Sequence, residues 1–149
     1  MTQIIFDNFK NHYSINVFKW KIMKLRIRRN SIRLRLSKSE VEEFGNNGRV
    51  SDEICFGVSP SDNLIYSLEK SSDKLVNAVF LNSEITVFVP PKIAKNWVET
   101  DEIGFEAEQV FNDDSNLKIL VEKDFVCLKP RDNEDESDNY SHPNQDKNC

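Results

Sequence analysis

Two short, neighbouring segments near the start of the chain alternate arginines with apolar residues. They read KLRIRR, residues 24–29, and IRLRLS, residues 32–37. An alternation of period two predicts β-strands, and the two residues Asn30-Ser31 between them predict a tight hairpin. Arg26, Arg28, Arg33 and Arg35 therefore share one face of a two-stranded ribbon, while the leucines and isoleucines share the other.

This hairpin predicts that Arg28 lies opposite Arg33 and Arg26 opposite Arg35. Like charges directly opposite one another destabilise a strand pair, so a bound anion would stabilise this one. Guanidinium groups bind phosphate and carboxylate groups through two parallel hydrogen bonds. We therefore predict that Arg26, Arg28, Arg33 and Arg35 bind an anionic small molecule or an acidic protein segment.

A later segment alternates acidic residues in the same way. Glu102, Glu106 and Glu108 fall on one face of a predicted strand, and Glu69 and Glu122 occupy matching positions in two similar segments. These carboxylates allow a salt-bridge lattice with the arginines, or two separately solvated sheet faces. They also allow an alternative function, a metal-dependent phosphohydrolase in which Glu102, Glu106 and Glu108 hold Mg²⁺ or Mn²⁺ while the arginines bind a triphosphate-like substrate.

The rest of the sequence offers few residues for catalysis. Both histidines, His12 and His142, lie toward the chain ends, and the cysteines Cys55, Cys127 and Cys149 show no CxxC spacing. The sequence contains no glycine-rich phosphate loop, no nucleophile elbow and no HExxH motif. We therefore predict a binding protein rather than an enzyme, and no cofactor outside the metal-dependent alternative.

The strands that position these residues are predicted to be duplicated. NLIYSLEK, residues 63–70, returns as NLKILVEK, residues 116–123, and SDEICF, residues 51–56, returns as TDEIGF, residues 100–105. Self-similarity at a nearly constant offset indicates repeated supersecondary units, here residues 24–75 and 77–128. The turn at Asn30-Ser31 then matches Asn82-Ser83, and the positions that match the four arginines are apolar in the second unit: Ala78, Phe80, Ile85 and Val87.

Each unit is predicted to have the order β-β-α-β-β. Ser37 or Ser39 is expected to cap the first helix and Gly45 to end it, whereas Pro90-Pro91 opens the second helix. A further strand is expected at residues 125–128. The predicted fold class is a strand-dominated α+β domain, a curled antiparallel sheet or barrel of about ten strands with two short helices that bury Val41, Phe44, Ile93 and Trp97.

Charge and composition divide the chain into three parts. Residues 1–35 hold nine Lys/Arg and one Asp, residues 36–129 nine Lys/Arg and eighteen Asp/Glu, and residues 130–149 two Lys/Arg and six Asp/Glu. We expect residues 1–22 to be an N-terminal extension or a mis-called start before Met23, residues 23–129 to form one domain, and residues 130–149 to be an acidic, disordered tail.

Two classes of partner are not expected. The sequence pI of about 5.1 and the acidic tail argue against nucleic acid. No stretch is long and apolar enough for a membrane span or a signal peptide, which predicts a cytoplasmic protein.

Three stretches resemble an uncharacterised family of small bacterial proteins with a domain of unknown function. They read MKLRIRRNSIRLRLSKSEV, NWVETDEIGFEAEQ and ILVEKDFVCLKPRDNEDESDNYSHPN, and the resemblance covers Met23 to about Asn144. It implies no activity, and it favours Met23 as the family-like start.

The doubled strand order, with basic and acidic residues on strands, also resembles the CYTH triphosphate-tunnel phosphohydrolases. Members of that group carry a Glu-x-Glu-x-Lys motif on their first strand, which holds a divalent metal and triphosphate. Here the first strands carry arginine, and the partial match Glu106-Ala107-Glu108 lies late in the chain and lacks the lysine. The resemblance implies a triphosphate site but rests on fold order alone.

Overall fold

The computed structural model describes residues 23–129 and 132–143. It confirms the strand-dominated α+β class and the doubled β-β-α-β-β order. The first unit contains β1 (Lys24–Ile27), β2 (Ser31–Leu36), α1 (Lys38–Asn47), β3 (Arg49–Cys55) and β4 (Asn63–Lys70), and the second contains β5 (Asn77–Leu81), β6 (Glu84–Val89), α2 (Pro91–Glu99), β7 (Gly104–Asn112) and β8 (Ser115–Lys123).

Each of the two four-stranded sheets combines strands from both units. Sheet A has the order β1-β2-β8-β7, and sheet B has the equivalent order β5-β6-β4-β3. The outer strand pairs are antiparallel, while the central pairs, β2 with β8 and β4 with β6, are parallel. The prediction of a curled antiparallel sheet or barrel of about ten strands is therefore wrong: eight strands form two mixed sheets, and neither closes within the described residues.

The strand registers confirm one of the two repeated sequence segments and correct the other. Ser31 pairs with Lys118 as Glu84 pairs with Ile65, so these strands are related by an offset of 53 residues, the offset between the two NL-containing segments. In contrast, the match of residues 51–56 with 100–105 is not structural. Gly104 and Arg49 hold equivalent positions, opposite Glu122 and Glu69, at an offset of 55.

The helices begin where the sequence predicts, but α1 ends later. The backbone N–H of Ser37 donates to the carboxylate of Glu40 at 2.8 Å, which caps α1. Gly48, with φ +76°, ends this helix in the left-handed conformation, so the assignment of Gly45 as the stop is wrong. Val41, Phe44 and Trp97 are buried as predicted, while Ile93 packs against the core at its edge.

The acidic stretch after the second unit departs from the predicted disordered tail. The backbone N–H of Tyr140 donates to the carbonyl of Asp124 at 2.8 Å, and that of Lys38 donates to the carbonyl of Asp138 at 2.9 Å. The Tyr140 ring also packs on Phe125 at 5.7 Å between centroids. Phe125 forms an isolated bridge with Tyr140 rather than the strand expected at residues 125–128. Acidic side chains of this stretch take part as well, because the backbone N–H of Ser39 donates to the carboxylate of Asp138 at 3.3 Å and that of Cys127 donates to the carboxylate of Glu136 at 3.1 Å. Composition misses this docking because it does not show the distant partners of these groups.

The predictions for residues 1–22, for residues 130–131 and for residues 144–149 lie outside the described residues. Met23, the first described residue, is buried in the core. Among the helices of the described part of the chain, none is long and apolar enough to cross a membrane.

Candidate functional site: a charged groove on sheet A

The arginine-rich hairpin has a different turn from the one predicted. Arg28 and Ser31 exchange two backbone hydrogen bonds of 3.1 Å, so the turn residues are Arg29-Asn30. Arg29 has φ 51°, and Asn30 is tied to β8 because its side chain donates to the carbonyl of Asn116. Tertiary contacts thus set a turn position that the local pattern does not reveal.

Because the observed turn differs from the predicted one, the arginines also pair differently across the two strands. Arg26 lies opposite Arg33, and Arg35 lies opposite Lys24 rather than Arg26. The predicted pairing is wrong by two residues along the strand. Because the side-chain period of a strand is also two residues, the arginines still share one face.

This face contains a groove of about 590 Å³, which we call the sheet A groove. Four cations and two carboxylates line it. Leu120 of β8 lies between them, because it pairs with Arg33 on one side and with Glu106 on the other. The structure thereby brings predicted basic and predicted acidic residues together in one site. Its charged lining residues are Arg26, Arg28, Arg33, Lys118, Glu106 and Glu108.

Positive charges in the groove repel one another. Burial lowers the pKa of Arg33, and the neighbouring charges of Arg35 and Arg26 lower it further, against the opposing effect of Glu122. The nearest Arg33–Glu122 nitrogen–oxygen distance is 3.6 Å. Across residues 23–129 and 132–143, no carboxylate forms an ion pair with Arg26, Arg28 or Lys118. The groove therefore carries excess positive charge.

Two predicted residues lie apart from the groove. Arg35 contacts Glu122, with 3.4 Å between Nε and Oε2, and does not line the groove. Glu102 precedes β7, and its carboxylate accepts a 2.7 Å hydrogen bond from the Asn96 side chain of α2. Lys118 was missed as a site residue, although the alternation of Lys118, Leu120 and Glu122 in NLKILVEK places it on the charged face.

The three carboxylates of the predicted metal site are thus not assembled. Glu106 and Glu108 line the groove, and Glu108 accepts a hydrogen bond from the side chain of Asn116. Glu102 is directed to Asn96 instead. Among the described residues, no group of three or more His, Cys, Asp or Glu side chains is arranged to hold a metal ion.

A second cavity, of about 500 Å³, has only apolar side chains. It therefore offers no charged group for an anion or a metal. Its lining residues are Ile32, Leu64, Ala78, Val79, Phe80, Ile85, Phe111 and Leu117.

The equivalent face of sheet B has no arginine cluster. With the observed offset of 53, the positions that match Arg26 and Arg33 are Val79 and Thr86, which replace the matches predicted with an offset of 52. Phe88 matches Arg35 in the same way. The asymmetry between the units is therefore retained, although the residues that define it change.

Comparison with known proteins identifies a family whose function is unknown. The model of a family of unknown function, DUF7009, matches residues 23–144, which include every element of the groove. No curated protein and no solved structure matches the chain. The resemblance to the CYTH phosphohydrolases gains no support from these comparisons.

Proposed function

We propose that this chain, which belongs to the DUF7009 family of unknown function, is a cytoplasmic binding protein whose sheet A groove takes an anionic ligand. The observation that supports it best is the excess of cations in one groove. Arg26 and Arg33 lie directly opposite each other, and both line the groove. An anion that accepts hydrogen bonds from both guanidinium groups would relieve their repulsion.

The groove favours a small molecule over an acidic protein segment. Its volume, about 590 Å³, lies in the range of small-molecule sites, roughly 300–1,000 Å³. Its charged side chains come from all four strands of one sheet, so a compact ligand reaches several of them at once. The salt-bridge lattice considered from the sequence accounts for one end of this face only, where Glu122 lies near Arg33 and Arg35.

We propose binding without hydrolysis. The metal-dependent alternative needs the arginines and three carboxylates around one cavity. Glu106 and Glu108 meet that requirement, but Glu102 bonds to Asn96 and leaves the set incomplete.

Thermal unfolding with and without pyrophosphate and tripolyphosphate, at low salt, tests the proposal. A ligand that binds only the folded state at 100 times its Kd stabilises the protein by about 2.7 kcal/mol. We expect a rise in Tm of several degrees for the wild-type chain. The double variant Arg26→Gln/Arg33→Gln should lose this rise.

The matched control is Lys74→Gln/Lys92→Gln, which removes two positive charges from exposed positions away from the groove. It should keep the rise in Tm. The proposal is wrong if neither anion stabilises the wild-type chain, or if the control loses as much stabilisation as the groove variant, because the effect would then follow net charge rather than the site.

A further inference from the structure

The charges of the sheet A groove are separated across the sheet. One row of paired residues runs from β1 to β7 as Arg26, Arg33, Leu120 and Glu106. The next row runs as Arg28, Ser31, Lys118 and Glu108. In both rows the β1 end is cationic and the β7 end is anionic.

In the described residues, the charges at the two ends are not paired with each other. Neighbouring strands are about 4.8 Å apart, so the backbones of β2 and β7 are separated by about 10 Å. Leu120 occupies the position between Arg33 and Glu106. In the part of the chain that the structure describes, no ion pair joins Arg26 or Arg33 to Glu106 or Glu108.

From this arrangement we infer that the ligand is dipolar. Its anionic group lies over Arg26 and Arg33, and a cationic group lies over Glu106 and Glu108, about two strand spacings away. The inference rests on the proposed function, because it adds a second recognition element to the same groove. The ligand class is an amino-substituted phosphate or carboxylate with an apolar connection that crosses Leu120.

A simple anion fits this groove less well than a dipolar one. A phosphate over the arginines lies within the repulsive field of Glu106 and Glu108, and only Glu108 has a cation, Lys118, opposite it. An ammonium group at the β7 end changes that repulsion into attraction. The methylene groups between the two charges cover Leu120, whose side chain remains partly exposed in the groove.

Two probes that differ only in the ammonium group test the inference: hexyl phosphate and 6-aminohexyl phosphate. We expect 6-aminohexyl phosphate to bind about three- to five-fold more tightly at low salt, the ratio that one partly exposed ion pair provides. Isothermal titration calorimetry measures both dissociation constants. In the Glu106→Gln/Glu108→Gln variant, the two probes should bind equally.

The control variant is Glu42→Gln/Glu99→Gln, which removes two exposed carboxylates from the helices. It should retain the preference for 6-aminohexyl phosphate. The single variant Glu106→Gln should lose part of the preference, which separates a binding effect from a folding defect of the double variant.

The outcomes distinguish the two proposals. If neither probe binds the wild-type chain, the anion site itself is wrong and the dipolar inference fails with it. If both probes bind with equal affinity, the anion site stands and only the dipolar inference fails. A preference that persists in Glu106→Gln/Glu108→Gln also overturns the inference, because the ammonium group would then be recognised elsewhere.

Discussion

The face of sheet A that contains the groove and the corresponding face of sheet B hold equivalent places in the duplicated fold. They differ in how far their charged side chains are paired. On sheet B, Arg49 lies between two carboxylates, with nitrogen–oxygen distances of 2.6 Å to Glu69 and 2.5 Å to Glu84. Ser67 also donates to Glu84, at 2.7 Å. On sheet A, in contrast, the cations outnumber the carboxylates that they contact. One backbone arrangement thus supports both a satisfied charge network and a cationic groove.

The directions of the pKa shifts on the two faces agree with this difference. Hydrogen bonds from Ser67 and Arg49 lower the pKa of Glu84, and the hydrogen bond to Glu84 raises the pKa of Arg49. Burial and neighbouring arginines lower the pKa of Arg33. Repulsion between neighbouring like charges, as around Arg33, is expected at functional sites rather than in a structural network.

The helices show how closely the two units correspond. Phe44 of α1 and Trp97 of α2 are 53 residues apart and contact each other edge to face, with 6.1 Å between ring centroids. The next residues, Gly45 and Val98, have the same offset and also face each other. The helix contact therefore lies where the two units meet, but with a small residue on one side and a larger one on the other.

The largest effect is expected from a variant that makes this contact equal on both sides. A Cβ atom at Gly45 would lie 2.9 Å from Cγ1 of Val98, so Gly45→Val overpacks the interface. We expect a loss of about 2–3 kcal/mol in the free energy of unfolding, measured by urea denaturation.

The exchanged variant Gly45→Val/Val98→Gly tests whether the two units really correspond here. It restores the total volume across the contact, so it should recover at least half of the loss. If the double variant is as unstable as the sum of the two single variants, the helices do not pack as equivalent partners.

A smaller effect, a loss of stability on sheet B but not on sheet A, is expected when one arginine is neutralised. Arg49→Gln leaves Glu69 and Glu84 without their cation and should cost about 1 kcal/mol. Arg33→Gln relieves repulsion by Arg26 and Arg35, so it should leave stability unchanged or raise it slightly. Urea denaturation of both variants at low salt measures the difference, and equal losses would contradict the comparison of the two faces.

The smallest effect concerns the helices, where α1 has Glu40 at the position that Ile93 holds in α2. Burial raises the pKa of Glu40 above its ordinary value of 4.5, and the hydrogen bonds with Ser37 offset only part of this rise. A raised folded-state pKa contributes stability that is complete below pH 4.5 and is lost as pH rises through the folded pKa.

Glu40→Gln should remove this pH dependence, because glutamine keeps an acceptor for the Ser37 N–H but does not ionise. The free energy of unfolding of the variant, relative to that of the wild type, should increase as pH rises from about 4 to about 7. This increase should be smaller than the loss expected for Arg49→Gln. Denaturation at both pH values measures the gain. A variant that loses stability equally at both would show that the carboxylate serves the helix cap alone.

The sequence alone determined the order of elements and the face that carries the arginines. Strand alternation, turn residues and the prolines at the start of α2 are local signals, which depend only on nearby residues. The prediction of a shared arginine face remained right although the predicted turn was wrong. The error in the pairing of Arg26 and Arg33 is two residues, which equals one side-chain period. The duplication was likewise visible in the two NL-containing segments, which became β4 and β8.

Only the tertiary structure decided which strands pair, and this pairing made the site. β2 pairs with β8 of the other unit, which brings Lys118, Glu106 and Glu108 to the arginine face and leaves Glu102 on the side of α2. The same long-range contacts set the turn at Asn30 and docked Tyr140. Pairing between distant segments depends on shared burial and on the entropy of closing long loops, and neither is encoded in the local period of a segment.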